Sequence, residues 1–563
     1  MNRSEIISQL KKNPQVSVLI VGAGINGIGT FRDLALNGVD VLLIDRGDFC
    51  SGASAASSHM AHGGIRYLEN GEFRLVREAV KERNLMIQNA PHIVHPLPTT
   101  IPIFKRLSGI LNAPLKFLGW LDKPSERGSL IIKMGLMMYD AYTGSQRTVP
   151  RHVFYSRTES LSRWRELNPE IVNTATYYDG LISNPERLAL EQVLDAEAEN
   201  PGARALNYVS MVSGSGKQVL LRDELTDETV EVYPKLVINA AGPWIDFANH
   251  SLGMTTKYIG GTKGSHLVLN HPELRAAIGG NEFFFENKDG RIVLIFPLYD
   301  QVLVGTSDIK IDHPDDARCT EEEIDYFLEM TARVFPKIKI TREHIVFAFS
   351  GVRPLANSLA KTTGQYSRDH HIEVLNGDWT GLLYPVYSLV GGKWTSFRAF
   401  SEEVTDKALS FLGVERRKAT HELPIGGGRN YPTTTEERTK YLAGLAAWTG
   451  LSNERLLELF KRYGTRVELI ADFMKNTEDT DLTSLKGYSK QEILFLAQQE
   501  KVEHLDDLFL RRSMLAMLGL LNHEAVIEIA ELLAGALGWS LQKKNAEVER
   551  TLRILADRHR VRL

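Results

Sequence analysis

The sequence predicts an α/β protein in which a Rossmann-like βαβ unit is interleaved with a mixed, largely antiparallel sheet, followed by an all-helical C-terminal domain. The apolar run Val18–Val21 leads into a glycine-rich turn, a helical stretch and a second apolar run, Val41–Ile44. Further strand-like segments recur at 218–240, 264–270, 292–306 and 345–349. Beyond a Gly/Pro-rich segment near residue 420, helical periodicity dominates. We therefore expect one region over 1–420 and a helical domain over 421–563.

The first βαβ unit carries the pattern of a dinucleotide-binding site. Gly22, Gly24 and Gly27 follow the first strand with the spacing G-x-G-x-x-G. The three glycines permit a tight turn, a close approach of the backbone to a pyrophosphate, and close packing of the helix on the strand. The N-terminus of the helix offers N–H groups to phosphates. Asp45 ends the second strand, where an acid accepts hydrogen bonds from a ribose. The unit therefore predicts dinucleotide binding.

Three loops rich in small residues indicate a flavin dinucleotide in preference to a nicotinamide. The first loop, SGASAASSHMAHGGIRYLE at 51–69, follows the βαβ unit, and the others are VINAAGPW at 237–244 and LVGGKWTSF at 389–397. Such loops can run their backbones against one extended ligand that stays bound. We expect FAD as the cofactor. Besides the glycines and Asp45, the predicted contacts are Ser54, Ser57, Ser58, Ala241, Gly242, Gly391, Gly392 and Lys393.

Length and composition exclude several classes of protein. A chain of 563 residues is long for one core, and a formal charge of −4 argues against nucleic acid as a partner. The two cysteines form neither a disulfide framework nor a metal motif, which favours a reducing compartment. The first residues lack the apolar core of a signal peptide, and no apolar run is long enough to span a bilayer. We expect a cytoplasmic location, with contact at the inner face of the membrane left open.

Several segments, taken together and in order, resemble the bacterial aerobic glycerol-3-phosphate dehydrogenases, which are FAD-dependent members of the D-amino-acid-oxidase-like superfamily. The resemblance covers nearly the whole chain. It rests on HGGIRYLENGEFRLVREA (62–79), NAPHI (89–93), INAAGPW (238–244), KGSHLVL (263–269), VGTSD (304–308), FSGVRPL (349–355), SRDHHI (367–372), GGKWTSFR (391–398), YGTRVELI (463–470) and LDDLFLRRSML (505–515). It implies oxidation of the secondary alcohol of sn-glycerol 3-phosphate to dihydroxyacetone phosphate, with electrons passed to a membrane quinone.

A phosphate dianion needs fixed positive charge, and the planar fork of arginine binds phosphate oxygens in pairs. Arg66, Arg353 and Arg368 lie in segments that match the family's pocket. We expect all three to bind the phosphate, and Arg66 also to take part in catalysis. A surface salt bridge is the alternative for any one arginine. Tyr67 either adds a hydroxyl to the pocket or packs in the core.

Hydride transfer from an alcohol needs a base and a group that stabilises charge on the flavin. Lys393, behind two glycines, is expected near the N1–C2=O edge of the ring, with Thr395 supplying a hydroxyl to the substrate. His266 is the candidate base. A structural role for His266, or hydrogen-bond donation to the substrate, is an equally open alternative. His62 is expected to support the flavin loop.

The chain departs from the family pattern at two places. His59 stands where the family usually has Lys, and Pro185-Glu186-Arg187-Leu188 replaces the usual Asp-Ala-Arg-Leu. Both changes are expected near the cofactor or the substrate, so they bear on the flavin potential and on the identity of the substrate.

Partners and rival functions remain open at the level of the sequence. The basic, aromatic segment 104–120, FKRLSGILNAPLKFLGW, suits either a membrane interface or a buried cap, including a homodimer interface. The alternatives to a quinone-linked dehydrogenase are an oxygen-using oxidase of glycerol 3-phosphate, a flavin oxidase of another small hydroxy or amino acid, and a non-catalytic flavoprotein. The convergent cations argue against the last alternative.

Overall fold

The structure is a computed structural model that describes residues 2–65, 72–105, 129–143, 148–286, 292–357, 369–376 and 381–563. The strands are β1 (Gln15–Val21), β2 (Val41–Ile44), β3 (Met60–Ala61), β4 (Val94–Ile103), β5 (Val153–Ser156), β6 (Asn173–Ile182), β7 (Ala203–Leu206), β8 (Val209–Ser215), β9 (Gln218–Asp223), β10 (Thr229–Asn239), β11 (Thr262–Leu269), β12 (Glu282–Glu286), β13 (Ile292–Leu298), β14 (Gln301–Gly305), β15 (Ile309–Lys310), β16 (Ile345–Arg353), β17 (His371–Leu375) and β18 (Val386–Val390).

The α-helices surround two sheets and fill the C-terminal quarter of the chain. They are α1 (Arg3–Lys12), α2 (Ile25–Leu36), α3 (Phe73–Asn89), α4 (Ser129–Thr143), α5 (Arg157–Arg163), α6 (Pro185–Glu199), α7 (Ile245–Ser251), α8 (Pro272–Ile278), α9 (Glu321–Val334), α10 (Phe397–Leu412), α11 (Thr435–Thr449), α12 (Asn453–Tyr463), α13 (Val467–Met474), α14 (Lys490–Gln499), α15 (Leu505–Asp507), α16 (His523–Leu537) and α17 (Leu541–His559).

The first sheet has the order β17-β18-β10-β1-β2-β7. Strands β18, β10, β1, β2 and β7 run parallel, β17 is antiparallel to β18, and the β8–β9 hairpin attaches to β10. The parallel strands are apolar on both faces because helices cover each side. One face packs on α2, α6 and α10, and the other packs on α1. This sheet confirms the predicted βαβ unit.

The second sheet is mostly antiparallel and has the order β15-β11-β14-β13-β12-β4-β6-β3, with β16 paired to β11 and β5 to β6. Alternate residues of a strand point to opposite faces. Leu294 and Phe296 of β13 accordingly join the core of the C-terminal helices, whereas Val293 and Ile295 pack toward α8 and α9. The C-terminal helices thus share one apolar core with this sheet. The predicted α/β class, with its antiparallel layer and helical C-terminal part, is confirmed.

One predicted helix is shorter in the structure. The segment LDDLFLRRSMLAMLGLL is helical in sequence pattern, but only Leu505–Asp507 is α-helical, and Leu508–Arg512 continues as a π-helical turn. Ser513 then adopts an extended backbone with φ −139° and ψ 171°. The side chains of Arg511 and Arg512, at the end of this turn, contact a distant loop that is described below.

The proposed membrane segment lies mostly outside the described residues, which resume at Ser129 after Lys105. In the part of the chain that the structure describes, no helix is long and apolar enough to cross a bilayer.

Candidate active site

A cavity of about 1970 Å³ runs from the glycine turn of the βαβ unit to the inner face of the antiparallel sheet. Its wall includes most of the side chains and backbone segments predicted for the cofactor and the substrate. These are Gly22, Gly24, Asp45, Ser54, Ser57, Ser58, Ala241, Gly242, His266, Arg353, Gly391, Gly392, Lys393 and Thr395. Segments far apart in sequence therefore converge on one space.

The glycine turn has the geometry that a dinucleotide requires. Gly22 has φ +106°, and a Cβ there would lie 2.6 Å from the carbonyl oxygen of Ala240. Gly27 lines no part of the cavity, and a Cβ there would lie 2.0 Å from the carbonyl oxygen of Gly22, so this glycine serves helix–strand packing. Helix α2 begins at Ile25 with Gly24 as its N-cap. The N-terminus of α2 faces the cavity, and the glycines at 22 and 24 place no side chain in front of it. This arrangement suits a pyrophosphate.

Asp45 lies at the carboxyl end of β2, on the cavity wall. Its carboxylate accepts hydrogen bonds from the backbone N–H of Ala23 (2.7 Å) and of Gly47 (2.8 Å). Burial raises the pKa of Asp45 to about 6, against the lowering effect of these two N–H groups. The carboxylate is thus fixed at the position from which an acid binds ribose hydroxyls.

The serine-rich loop is fixed by hydrogen bonds to both neighbouring loops. The Ser54 hydroxyl accepts from the N–H of Ile25 (3.0 Å), and its carbonyl accepts from the indole N–H of Trp394 (2.9 Å). The Ser57 hydroxyl accepts from the N–H of His59 (3.2 Å). These bonds hold the loop against the start of α2 and the Gly391–Gly392 loop, on the cavity wall.

The Gly391–Gly392 loop needs its glycines for conformation and for space. Their φ angles are +82° and +100°, and a Cβ on Gly392 would lie 2.2 Å from the side-chain amide of Asn26. Close approach to the start of α2 carries Lys393 and Thr395 onto the cavity wall. The ammonium group of Lys393 lies near His370 and lowers the pKa of that imidazole, although burial is the larger cause.

His266 belongs to β11 and lies at the other side of the cavity. Its ring stacks on Phe349 with centroids 4.8 Å apart, and its Nε2 lies 2.8 Å from the hydroxyl of Ser58. Nδ1 is buried and has no hydrogen-bond partner among the described residues. Burial lowers the pKa of His266 well below its usual value, and the positive charge of Arg353 lowers it further. The imidazole is therefore neutral.

Arg353 ends β16 on the cavity wall, but it also holds a loop, which the sequence did not indicate. Its guanidinium donates to the hydroxyl of Thr306 (2.9 Å), the carbonyl of Ser307 (3.0 Å) and the carboxylate of Asp308 (3.2 Å). A Cβ at Gly264 would lie 2.3 Å from the guanidinium, so this glycine makes room for it. Arg353 therefore also anchors residues 306–308.

The two departures from the family pattern are buried. His59 has φ +53°, is fully buried, and has no hydrogen-bond partner for either ring nitrogen among the described residues. Burial lowers its pKa to about 4, so it supplies no positive charge where the family usually has Lys. Arg187 bonds Glu500 (2.5 Å) of the C-terminal part instead of facing the cavity, whereas Glu186 lines the cavity, and burial raises its pKa to about 8.

Three of the predicted pocket residues, Arg66, Tyr67 and Arg368, lie outside the described residues. Their roles stay predictions.

A buried hydrogen-bond network behind the His62-Gly63-Gly64 loop was missed. The carboxylate of Asp179 accepts from the N–H of Gly63 (2.9 Å) and the hydroxyl of Tyr139 (2.5 Å), and Arg83 donates to the same hydroxyl (2.7 Å). A Cβ at Gly63 would lie 2.0 Å from that hydroxyl oxygen. The local sequence indicates this network only through Gly63 of the His62-Gly63-Gly64 loop. The other members could not be predicted because they come from distant helices and strands.

The glycine turn, the acid that follows the second strand and the small-residue loops are the features of a dinucleotide-dependent flavoprotein of the oxidoreductase class. Residues 17–382 match the family model described as FAD dependent oxidoreductase, and residues 418–544 match the C-terminal domain of alpha-glycerophosphate oxidase. The chain belongs to the FAD-dependent glycerol-3-phosphate dehydrogenase family, as the resemblance had indicated, and FAD is its cofactor.

Relatives and solved structures agree with this assignment. The chain is 33% identical to a glycerol-3-phosphate dehydrogenase of Synechocystis over 96% of each chain. It is 29% identical to a D-erythritol 1-phosphate dehydrogenase of Brucella abortus, over 88% of this chain and 93% of the relative. The fold matches the glycerol-3-phosphate dehydrogenase of Bacillus halodurans complexed with FAD, with a TM-score of 0.75, 23% identity, and coverage of 98% of this chain and 97% of that one.

Proposed function

We propose that the protein oxidises sn-glycerol 3-phosphate at its secondary alcohol to dihydroxyacetone phosphate and passes the electrons to a membrane quinone. The observation that carries the proposal is the convergence of a neutral histidine, a lysine and an arginine on the wall of the cofactor cavity. The substrate must lose one proton and one hydride and must be held by its phosphate, and these three side chains match those needs. Bound FAD supplies the acceptor for the hydride and for its two electrons.

His266 takes the hydroxyl proton in this proposal. With Nε2–H donating to the Ser58 hydroxyl, Nδ1 keeps its lone pair and has no other partner among the described residues. The stacked ring of Phe349 fixes the plane of the imidazole. A base that is held in place and neutral at rest is ready to take the hydroxyl proton, and its low pKa favours release of that proton to solvent before the next turnover.

Arg353 and Lys393 supply positive charge at different points of the same cavity. The three contacts of Arg353 with residues 306–308 orient its guanidinium at the wall, where a phosphate oxygen can be bound. Lys393 follows two glycines whose positive φ angles set the path of the loop, and this path brings Lys393 to the cavity wall. We assign it to stabilise the negative charge that develops as hydride is transferred.

The quinone part of the proposal includes contact with the membrane surface through 104–120 and the adjoining helix α4. This contact is supported by the exposed side chains of Met134, Met137 and Met138, which are 60%, 58% and 39% exposed on α4. Exposed apolar side chains next to a basic aromatic segment suit an interfacial position. Co-sedimentation with anionic lipid vesicles should fall when the three methionines are replaced by glutamine. Unchanged binding would remove this part of the proposal.

An anaerobic titration of the purified holoprotein tests the reaction. Addition of sn-glycerol 3-phosphate should bleach the flavin absorption near ~450 nm, and a soluble quinone should restore it faster than air does. Restoration by air at an equal rate would instead indicate an oxidase. No bleaching by this substrate would overturn the proposal.

D-Erythritol 1-phosphate belongs in the same titration, because the Brucella relative is named for that substrate. Both substrates carry a phosphate, and the pocket argument does not fix the length of the carbon chain. Bleaching only by the four-carbon phosphate would keep the proposed roles of His266 and Arg353 and change the substrate. An amino acid such as glycine or D-alanine should leave the flavin oxidised.

A further inference from the structure

The C-terminal helical part reaches the cofactor loop through a buried acid, Asp48. Its carboxylate is fully buried and accepts from Arg511 Nε (2.5 Å), from both terminal nitrogens of Arg512 (2.6 and 2.9 Å), and from the side-chain amide of Asn207 (2.8 Å). Arg512 and Asp48 are 464 residues apart in the chain. Burial alone would raise the pKa of Asp48, but the two guanidinium groups outweigh it and hold the pKa below its usual range.

The π-helical turn makes this double contact possible. Neighbouring residues of an α-helix diverge by about 100° around the axis, so adjacent arginines point in different directions. Leu508–Arg512 forms a wider turn that ends directly at Arg512, and both guanidinium groups meet the same carboxylate. π-Helical turns frequently occur at functional sites. Arg512 is further fixed by donating to the carbonyls of Glu500 (2.8 Å) and Lys501 (3.1 Å).

Asp48 lies on the turn that carries the ribose-binding acid. Asp45 accepts from the N–H of Gly47, and the carbonyls of Gly47 and Asp45 accept from the N–H groups of Tyr208 (2.9 Å) and Val209 (2.7 Å). The hydroxyl of Tyr208 donates to Asp507 (2.5 Å), which also accepts from Arg511 (2.5 Å). The C-terminal part therefore bonds to both of these neighbouring segments of the cavity wall, the Asp45–Asp48 turn and Tyr208, at the predicted adenosine end.

We propose that Arg511 and Arg512 form a clamp that positions the Asp45–Asp48 turn, so that the C-terminal helical part sets the affinity for FAD. Arg512 is a positioning residue that acts through Asp48, whereas Arg511 also lies on the cavity wall itself. The inference concerns retention of the cofactor and holds whichever substrate is oxidised.

The test is the dissociation constant of FAD for apoprotein, measured by quenching of flavin fluorescence. Arg512→Lys keeps the charge but loses the paired hydrogen bonds to Asp48, so the dissociation constant should rise roughly ten- to a hundredfold. Circular dichroism of the same apoprotein verifies that it is folded. If Arg512→Lys does not fold, Arg511→Lys is measured in its place with the same expectation.

A matched control separates positioning from general loss of stability. Arg462 forms a similar pair with the buried Glu492 (2.9 Å) within the C-terminal part, away from the cofactor turn. Arg462→Lys should lower the unfolding midpoint and leave the dissociation constant of FAD unchanged. An equal rise in both variants would show that the clamp has no specific role.

A double variant tests whether the clamp acts through the turn. If Arg512 works by positioning Asp45, the double variant Arg512→Lys/Asp45→Asn should lose less FAD binding free energy than the sum of the two single losses. Full additivity, or an unchanged dissociation constant in Arg512→Lys, would overturn the inference.

Discussion

The two ends of the cofactor cavity differ in how far the protein satisfies its own polar groups. At the predicted adenosine end, each carboxylate oxygen of Asp45 and Asp48 accepts at least one hydrogen bond. At the proposed catalytic end, Nδ1 of His266 and the hydroxyl of Thr395 are buried without a hydrogen-bond partner among the described residues. An unsatisfied buried group costs about 1–3 kcal/mol.

The difference indicates where the molecule holds a permanent ligand and where it accepts a transient one. A site for a retained cofactor gains from rigid, satisfied contacts, because ordering is complete before binding. A site for a substrate keeps polar groups that only the substrate or the reacting atoms satisfy, and such groups strengthen binding during turnover. Catalytic sites commonly keep unsatisfied polar groups that lower the stability of the protein, and packing in the rest of the fold offsets this loss of stability.

The largest expected effect tests the catalytic end. His266→Gln removes the proposed base and keeps a side chain able to bond Ser58, so kcat should fall roughly 10²–10⁴-fold while FAD stays bound. Stopped-flow reduction of the flavin measures the chemical step. Ser58→Ala, which removes only the hydrogen bond to Nε2, should cost much less. A kcat for His266→Gln within a few-fold of the wild-type value would remove His266 from catalysis.

A second prediction concerns Glu186, an exception on the well-satisfied side of the cavity. Burial raises its pKa from 4.5 to about 8, and Oε2 has no hydrogen-bond partner among the described residues. Between these two values the unfolded chain releases the proton that the folded chain keeps, so stability falls as pH rises. Glu186→Gln avoids this loss, and the variant should be more stable than the wild type by roughly 3–5 kcal/mol above pH 8, with no difference below pH 4.5.

Urea unfolding at pH 4.5 and pH 9 measures this difference. Glu82→Gln is the matched control, because buried Glu82 is paired with Arg398 at 2.7 and 2.8 Å. That variant should lose stability at both pH values. Equal stability of Glu186→Gln and wild type at pH 9 would mean that Glu186 has a partner in solution.

Replacement of Arg353 separates its two roles. Arg353→Ala should lower kcat/KM for the phosphate substrate about ten- to a hundredfold, because a charge-assisted hydrogen bond to the phosphate is lost. The variant should still bind FAD. Asp308→Ala breaks the same ion pair without removing the cation. If Asp308→Ala reproduces the whole loss, Arg353 acts only by holding residues 306–308.

The smallest expected effect is a shift of the acid limb in the pH profile of kcat/KM. The base works in its neutral form, and burial, together with the charge of Arg353, lowers the pKa of His266 below its ordinary 6.5. The neutral form therefore persists to lower pH, and the acid limb of kcat/KM should lie below pH 6.5. In Arg353→Gln the limb should move toward higher pH, since the repelling charge of Arg353 is gone. A limb at or above pH 6.5 in the wild type would contradict the depressed pKa.

The sequence predicted the parts of the site that depend on local geometry. The glycine turn, Asp45 and the Gly391–Gly392 loop were readable because backbone conformation restricts which residues fit. The contact of Asp48 with Arg511 and Arg512 could not be predicted from the sequence. Asp48 and Arg512 lie 464 residues apart, and local sequence does not indicate the π-helical turn that carries the arginines. The same limitation hid the loop-holding contacts of Arg353 and the burial of His59, because neither follows from residue type or spacing.

Anaerobic stopped-flow reduction with sn-glycerol 3-phosphate deuterated at C2 tests the central claim most directly. If hydride leaves C2 as a base takes the hydroxyl proton at this site, the flavin should be reduced, and more slowly with the deuterated substrate than with the ordinary one. A flavin that stays oxidised, or one that is reduced at the same rate by both substrates when chemistry is known to limit the rate, would contradict the account.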